Sequence, residues 1–232
     1  MYQLKDRVSY SEVDANLNLT YFDLVNYMQD CSTFHSDEVG VGLSYLTPMN
    51  CGWYVTSYEI HINRLPKYME RIVISTYPYQ VKGMLAKRLY TIESEEGELL
   101  VYADSLWVLM DLQNLHPARL TPEILAAYPE DENRPVFDFN KKKLRYNKDG
   151  KQVGSFTVNE TYIDTNGHMN NSFYIDVTRR FLPESNFSTI NINYKKESLL
   201  FDELQVYLVE LEKGYQVVLM KDDEVYTIVE YK

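Results

Sequence analysis

The most chemically suggestive stretch of the sequence runs from Tyr162 to Asn171 and contains a carboxylate, an amide and an imidazole. Asp164, Asn166 and His168 occupy positions i, i+2 and i+4. Alternate side chains of an extended chain point to the same side. An extended backbone would therefore turn all three groups toward one volume, where they could act in general acid–base chemistry.

A helix is predicted directly after this stretch. Residues 170–172 are all good helix N-caps, and Pro183 ends an apolar pattern with four-residue spacing. The apolar positions are Phe173, Val177 and Phe181. Because the N–H groups at a helix N-terminus favour negative charge, we interpret the stretch as an extended segment that carries three polar groups to a helix start. For a single copy of the pattern, a simple polar turn before a helix is an equally good interpretation.

The pattern, however, occurs twice. Asp14, Asn16 and Asn18 each lie 150 positions before Asp164, Asn166 and His168. A second echo relates residues 60–63 (Ile-His-Ile-Asn) to residues 190–193 (Ile-Asn-Ile-Asn). The repeat indicates a duplicated unit in which only the second copy kept the histidine.

Composition limits the class of protein. A chain of 232 residues with 45% hydrophobic residues can form two small domains with real cores. The net charge of −11 argues against nucleic acid as a partner, and no apolar run is long enough to predict a membrane span. Cys31 and Cys51 have no metal-ligand spacing. The N-terminal residues do not resemble a signal or transit peptide, so we expect a cytoplasmic protein.

The order of elements predicts an N-terminal unit at 1–116, a linker at 117–150 and a C-terminal unit at 151–232. Each unit is expected to contain a strand, a helix and then four strands, arranged as an antiparallel meander around the helix. The first helix should begin at Thr20 and bury a stripe of Leu24, Met28, Cys31 and Phe34. Predicted strands lie at 8–13, 53–63, 71–81, 84–93 and 99–111, then at 153–161, 188–196, 203–212, 215–221 and 224–231. The second helix is expected at 171–182.

The predicted linker contains a short helix near residues 122–128 and a basic cluster. The cluster consists of Lys141, Lys142, Lys143 and Arg145. It is either an ordinary solvated surface or a docking patch for an acidic partner, since salt limits the repulsion from the net charge to about 8 Å.

Through these motifs, the sequence resembles the fatty acyl-ACP (acyl carrier protein) thioesterases of plants and bacteria. The segment from Asp164 to Asn171 is similar to the family signature, and further similar segments extend the resemblance over nearly the whole chain. They are Trp53-Tyr54-Val55, Arg64-Leu65-Pro66, residues 105–110 (Ser-Leu-Trp-Val-Leu-Met) and Tyr194-Lys195-Lys196-Glu197. The resemblance implies an α+β fold, a tandem (double) hot dog in which each unit is a long helix wrapped by an antiparallel sheet.

The resemblance also implies an activity, the hydrolysis of the thioester between a fatty acyl chain and acyl carrier protein. Asp164, Asn166, His168 and Glu197 match the catalytic positions of the family. In one scheme Glu197 and His168 activate water while Asp164 orients the site, and in another Asp164 attacks to form an acyl anhydride. We favour activated water, with Asn166 and a backbone N–H near the helix start as oxyanion donors.

One departure from the family pattern, and one difference between the two copies, matter for the mechanism. Plant members have a cysteine after the glutamate, whereas this chain has Ser198, so no cysteine nucleophile is available there. In the first unit, Asn18 replaces His168 and Lys67 falls roughly where Glu197 sits. That unit is expected to be catalytically silent and to form the acyl-chain tunnel. No metal or organic cofactor is expected, because the chemistry needs none and the sequence has no motif for one.

The alternatives are an acyl-CoA thioesterase, a hot-dog dehydratase, or a non-catalytic acyl-binding module. A dehydratase could use the same imidazole and carboxylate types, whereas a binding module would be expected to lose His168 or Glu197. The expected partner is acyl carrier protein, with no nucleic acid and no membrane. Two hot dogs in one chain mimic the usual hot-dog dimer, so the sequence is compatible with a monomer or a homodimer.

Overall fold

The chain divides into two units whose boundary falls between Phe139 and Asn140. In the computed structural model, which describes residues 1–140, 143–184 and 186–232, the first unit contains Met1–Thr56 and Ile62–Phe139. The second contains Asn140–Lys232 together with Ser57–His61. The boundary lies inside the segment 117–150.

The first unit is an antiparallel sheet with one long helix. Its elements are β1 (Tyr2–Arg7), α1 (Tyr21–Glu38), α2 (Leu43–Leu46), β2 (Cys51–Ile62, apart from Ser57–His61, which belongs to the second unit), β3 (Arg71–Lys82), β4 (Leu85–Ser94), β5 (Leu99–Asp111), β6 (His116–Pro117) and α3 (Pro122–Ala127). The strand order is β1-β3-β4-β5-β2, and β6 pairs with β5. Only β3, β4 and β5 form the expected meander, because β2 lies beside β5 and not beside its successor β3.

Helix α1 begins where the capping pattern predicts. The Thr20 hydroxyl accepts a hydrogen bond from the Asp23 N–H, which satisfies one of the free donors at the helix start. Leu24, Met28 and Cys31 are fully buried. The prediction for Phe34 was wrong, since that side chain is 46% exposed. With 3.6 residues per turn the buried stripe continues from position 31 to position 35, which is a buried histidine.

The second unit repeats this plan with a shorter helix. Its elements are β7 (Lys151–Thr157), α4 (Asn171–Arg179), β8 (Thr189–Tyr194), β9 (Glu203–Glu210), β10 (Tyr215–Lys221) and β11 (Glu224–Tyr231). The strand order is β7-β9-β10-β11-β8, and Ser57–His61 pairs antiparallel with β8. Helix α4 packs on β10 and β11, so one face of this sheet forms the core with the helix.

One predicted strand is wrong and another is partly wrong. The first strand lies at Tyr2–Arg7, not at 8–13, and residues 10–12 form a 3₁₀ turn. The strand predicted at 153–161 ends at Thr157, and another 3₁₀ turn follows at Glu160–Tyr162. The cause is local side-chain bonding that competes with strand pairing. The Glu12 carboxylate accepts the Ser9 N–H, and the Asn159 side chain accepts the Thr161 N–H.

The described parts of the segment 117–150 pack against the two sheets, each part against that of its own unit. The short helix predicted near 122–128 is present as α3. In the first unit, Phe137 stacks on Tyr102 with ring centroids 4.3 Å apart. In the second unit, Leu144 joins the buried cluster formed by Val218, Met220 and Ile228. Lys141 and Lys142 of the basic cluster lie outside the described residues, and Lys143 and Arg145 are exposed.

The helices also bear on the predicted absence of a membrane span. Among the described residues, none of them is both long and apolar enough to cross a bilayer.

Candidate active site

The stretch from Asp164 to His168 forms a tight turn, so its expected extended conformation was wrong. The Asp164 Oδ1 atom accepts the N–H groups of Asn166 at 2.8 Å and His168 at 3.2 Å. The Asp164 N–H in turn donates to the His168 carbonyl at 2.8 Å. Gly167 has φ of +81°, a left-handed conformation that glycine adopts without strain. The turn sets the direction of the His168 side chain, and the Asp164 carboxylate holds the turn.

His168 faces Glu197, the two residues being far apart in sequence. The Nε2 atom of His168 lies 3.0 Å from Glu197 Oε2, and the two side chains are 20% and 41% exposed. Backbone pairing brings them together, since His168 bridges Leu199 and the Met169 N–H donates to the Ser198 carbonyl at 2.9 Å. The site is therefore a partly sheltered imidazole–carboxylate pair, accessible to water and to a ligand.

The environment of Glu197 favours its action as a base. Burial raises the pKa of the Glu197 carboxyl above its ordinary value, the His168 charge lowers it, and the nearby Asp164 carboxylate raises it. The net direction is upward. A carboxylate with a raised pKa holds a proton more readily, and general base catalysis is most efficient when that pKa approaches the working pH.

Helix α4 begins immediately beyond the turn. Its N-cap is Asn170, whose side-chain oxygen accepts the Ser172 N–H at 3.1 Å and the Ser172 hydroxyl at 3.0 Å. The predicted helix start was therefore correct. The turn and the helix N-terminus are adjacent, so polar groups of the turn lie near the positive end of the helix.

The first unit contains the same turn without the imidazole. The Asp14 Oδ1 atom accepts the N–H groups of Asn16 at 2.8 Å and Asn18 at 3.0 Å. The Asp14 N–H donates to the Asn18 carbonyl at 2.8 Å. Leu17, with φ of +62°, occupies the position of Gly167. An aspartate and two backbone donors are thus enough to form this turn, whether or not a histidine follows.

The residue equivalent to Glu197 is Leu65, which corrects the expectation for Lys67. In the first unit the Leu19 N–H donates to the Pro66 carbonyl and Asn18 bridges Lys67. In the second unit the Met169 N–H donates to Ser198 and His168 bridges Leu199. Pro66 therefore matches Ser198, and the preceding residue of the first unit, Leu65, matches Glu197. The sequence comparison misplaced this position because the two copies have connections of different length before it.

The four predicted site residues thus behave differently. His168 and Glu197 form a side-chain pair, whereas the Asp164 carboxylate is engaged by backbone donors and the Asn166 side chain is exposed on the turn. Sequence analysis missed Tyr174, a buried α4 residue whose hydroxyl contacts Ser198. A comparison of the two copies could have identified it, because the second copy has a tyrosine where the first has a leucine.

Comparisons with known proteins agree with this architecture. Residues 1–128 match the family model described as acyl-ACP thioesterase N-terminal domain, and residues 146–227 match the C-terminal domain of the same family. The crystal structure of an acyl-ACP thioesterase from Bacteroides thetaiotaomicron is 24% identical, with a TM-score of 0.87 over 99% of this chain and 96% of that one. A 12:0-ACP thioesterase from Umbellularia californica is 18% identical, with a TM-score of 0.87 over 100% of this chain and 96% of that one.

Curated relatives are plant enzymes of greater length. A chloroplastic acyl-[acyl-carrier-protein] hydrolase of Cuphea viscosissima is 24% identical over 204 residues, which cover 80% of this chain and 49% of that protein. A chloroplastic oleoyl-acyl carrier protein thioesterase of Arabidopsis thaliana is 24% identical over 84% of this chain and 59% of that protein. The chain thus spans about half the length of the curated relatives it matches.

The fold and the site together define a class, the α+β tandem hot-dog proteins, in which a long helix is wrapped by an antiparallel sheet in each unit. Within this class, the two family matches cover most of the chain in the expected order. The chain belongs to the acyl-ACP thioesterase family.

Proposed function

We propose that this protein hydrolyses fatty acyl-ACP thioesters to free fatty acid and carrier protein, ending acyl chain elongation. The observation that carries the proposal is the His168–Glu197 pair, with Nε2 and Oε2 3.0 Å apart, in a chain that belongs to this family. A thioester needs an activated attacking oxygen, and an imidazole beside a carboxylate with a raised pKa is suited to activate water.

In the proposed mechanism, Glu197 takes a proton from a water molecule while the water oxygen attacks the thioester carbonyl carbon. The oxyanion formed by this attack collapses and the carbon–sulfur bond breaks, and the departing thiolate takes up the proton that Glu197 accepted, relayed through His168. The products are a carboxylic acid and the free thiol of the carrier-protein arm. A thiolate leaves readily, so the main demand on the protein is to activate water and to stabilise the oxyanion.

Asp164 has a positioning role in this proposal. Its Oδ1 atom binds two backbone N–H groups, and Asp14 makes the same bonds in the copy that lacks both histidine and glutamate. Turn formation thus accounts for the presence of the aspartate. This favours activated water with Asp164 as the orienting group, because the first copy keeps the equivalent aspartate for the turn although it has no imidazole–carboxylate pair.

Asn166 and a backbone N–H near the start of α4 are the proposed donors to the oxyanion. The Asn166 N–H donates to the Asp164 carboxylate at 2.8 Å, which orders the backbone from which the exposed Asn166 side chain extends. Donors fixed before the reaction stabilise developing charge without a cost of reorganisation during the reaction.

We further propose that 151–232 carries the catalytic function and that 1–116 is catalytically silent, with 117–150 between them. In the silent unit both members of the pair are replaced, by Asn18 and Leu65. Neither replacement can act as a base near neutral pH. The proposed contribution of this unit is the tunnel for the acyl chain.

The proposed partner is an acyl carrier protein, and the proposed location is cytoplasmic. The two cysteines of the chain are free thiols, which is typical of a reducing compartment. Cell fractionation of the native host tests the location. Light scattering of the purified protein distinguishes a monomer from the homodimer that remains a further proposal.

The decisive experiment measures free thiol release from acyl-ACP and acyl-CoA substrates of graded chain length. We expect higher kcat/KM for carrier-protein thioesters, with loss of activity in Glu197→Gln prepared in parallel. Preference for CoA substrates would instead indicate an acyl-CoA thioesterase. Dehydration of a 3-hydroxyacyl substrate would indicate a dehydratase. Tight acyl binding without turnover would indicate a binding module.

A further inference from the structure

A buried hydroxyl pair lies directly behind Glu197. The Tyr174 hydroxyl on α4 donates to the Ser198 Oγ atom at 3.0 Å and accepts the Ser198 backbone N–H at 3.1 Å. Ser198 is fully buried and Tyr174 is 2% exposed. One side chain of the helix thus binds both polar groups of the residue that follows Glu197.

Ser198 is also bound on its other side. Its carbonyl accepts the Met169 N–H at 2.9 Å, and Met169 follows His168. The residues that follow the two members of the His168–Glu197 pair are thereby joined to each other, and Tyr174 joins Ser198 to the helix. Because the distance between two side chains depends on the position of their backbones, these bonds constrain the segment that carries Glu197 relative to the one that carries His168.

The first unit shows what the fold itself requires at these positions. Leu24 occupies the position of Tyr174, and Pro66 occupies that of Ser198. The backbone bond is preserved, since the Leu19 N–H donates to the Pro66 carbonyl at 2.7 Å. Leu24 is fully buried, and Pro66 is buried as well. An apolar pair therefore supports the same loop and the same turn.

The four substitutions between the copies form a consistent set. Imidazole, carboxylate, phenol and hydroxyl are all present in the second unit, at His168, Glu197, Tyr174 and Ser198. In the first unit the equivalent residues are an amide, two aliphatic side chains and a proline. The phenol and hydroxyl are therefore associated with the acid–base pair and are not needed for the common architecture.

We propose that Tyr174 is a positioning residue for the reaction, which holds Glu197 in register with His168 through the N–H group of Ser198. The inference rests on the proposed function, because it assigns the tyrosine to the same site. The phenol is well suited to this task, because it can accept the backbone N–H while donating to the Ser198 hydroxyl. An apolar side chain would leave both buried groups without this partner.

The chain offers a matched control in Tyr231, another buried tyrosine that contacts α4. Its hydroxyl is bonded to Thr178 Oγ1 at 2.6 Å and lies 3.3 Å from the Ile175 carbonyl. Both Tyr174→Phe and Tyr231→Phe remove one buried hydroxyl beside the same helix. Only the first removes a bond to the residue next to Glu197. The control thus separates a loss of packing stability from a loss of positioning.

For Tyr174→Phe we expect kcat on an acyl-ACP substrate to fall about 10- to 100-fold with KM nearly unchanged, since small displacements of catalytic groups have effects of this size. Tyr231→Phe should retain kcat within about twofold, even where both variants lower the melting temperature. Ser198→Ala should cost less than about tenfold, because the Tyr174 hydroxyl still accepts the backbone N–H. Equal kcat values for the two Phe variants would overturn the proposal.

A readout independent of turnover is the titration of the Glu197 carboxyl by NMR with ¹³C-labelled glutamate, assigned by its loss in Glu197→Gln. The charge of His168 lowers the pKa of Glu197, so loosening the pair in Tyr174→Phe should raise that pKa relative to wild type. Tyr231→Phe should leave it unchanged. If the wild type hydrolysed no thioester, the proposed function would fail while this titration would still test the positioning. An unchanged titration in Tyr174→Phe would overturn the positioning itself.

Discussion

At the scale of single residues, comparison of the two copies of the turn separates the groups that form the turn from the groups proposed to act in catalysis. Asp14 and Asp164 make the same two backbone bonds. His168, in contrast, pairs with a carboxylate, whereas Asn18 lies in a unit where that carboxylate is replaced by Leu65. The substitutions of His168 and Asp164 therefore have matched controls, at Asn18 and Asp14, in the copy proposed to be catalytically silent.

His168→Ala should reduce turnover roughly 10²- to 10³-fold without unfolding the protein, the usual effect of losing one general acid–base group. The control is Asn18→Ala, which should alter turnover little. Steady-state kinetics with one acyl-ACP substrate, together with melting temperatures, checks the pair. Equal losses in both variants at unchanged melting temperature would show that the two units share the catalytic work.

Asp164→Asn should keep kcat within about tenfold and shift the acidic limb of the pH profile. The asparagine oxygen can accept the same two N–H groups, so the turn should persist. The charge of Asp164 raises the pKa of Glu197. Removing it should lower that pKa, and activity should extend to lower pH. The pH dependence of kcat/KM measures the shift, with Asp14→Asn as control. A nearly inactive Asp164→Asn enzyme would favour direct attack by the aspartate.

Glu197→Gln should be nearly inactive, since an amide cannot take a proton from water. The double variant Cys31→Ser/Cys51→Ser should retain most activity. Burial raises the pKa of Cys31 to about 12 and also raises the pKa of Cys51, so neither is an activated nucleophile. Measurements of kcat on one substrate test both statements. An active Glu197→Gln enzyme would mean that the base is another group.

At the scale of elements, the end of α1 contains a buried polar cluster that the apolar stripe did not predict. His35 Nδ1 lies 3.0 Å from Arg88 Nη1 on β4, and both residues are buried. The same guanidinium lies over the Tyr128 ring and donates to the Ser36 hydroxyl. Burial, followed by the Arg88 charge, lowers the pKa of His35 to about 3.

This cluster should make the stability of the first unit depend on pH. His35 is neutral in the folded state but takes up a proton in the unfolded state below about pH 6.5. Stability should therefore fall as the pH drops from 6.5 toward 3, by about 2 kcal/mol between pH 7 and pH 5. His35→Gln retains an acceptor for Arg88 and should lack this component. Denaturant unfolding at both pH values tests the difference, and equal losses in the two proteins would contradict it.

At the scale of the whole molecule, the proposed function raises the question of where an acidic carrier protein would dock on a chain with net charge −11. Lys143 and Arg145 flank Leu144, which packs against Val218 and Ile228. Successive side chains of a strand point to opposite faces of the sheet. On β11, Tyr231 is on the face that carries α4, because its hydroxyl bonds to Thr178 of that helix. Ile228 and the basic residues therefore lie on the other side of this sheet.

Lys195 is also exposed, but it lies only two residues before Glu197 in the sequence. Charge reversal in Lys195→Glu should raise KM for the acyl-ACP substrate roughly 3- to 10-fold, through weaker electrostatic attraction. The KM for a small pantetheine thioester should change little. Lys143→Glu is the matched reversal on the other side of the sheet. A larger rise in KM from Lys143→Glu would indicate that the carrier protein docks on the basic cluster of the predicted linker instead.

Much of the fold could be predicted from the sequence, because its signals are local. Apolar alternation and turn residues placed most strands within two residues of their ends, and Thr20 and Asn170 marked two helix starts. The 3₁₀ turns were missed because side-chain bonds from Glu12 and Asn159 replaced strand pairing there. The place of β2 beside β5 was missed because sheet order depends on pairing between distant segments.

For the site, the sequence by itself determined the chemical groups and the duplication. Constant spacing between the copies identified His168 as the residue that one copy lacks, and the resemblance supplied Glu197. Only the tertiary structure decided that these two side chains meet, that Asp164 is engaged by the backbone, and that Leu65 is the counterpart of Glu197. The physical reason is that strand pairing sets the register between residues far apart in the chain. Spacing along the sequence does not contain that register, because connections of different length lead to the same backbone position.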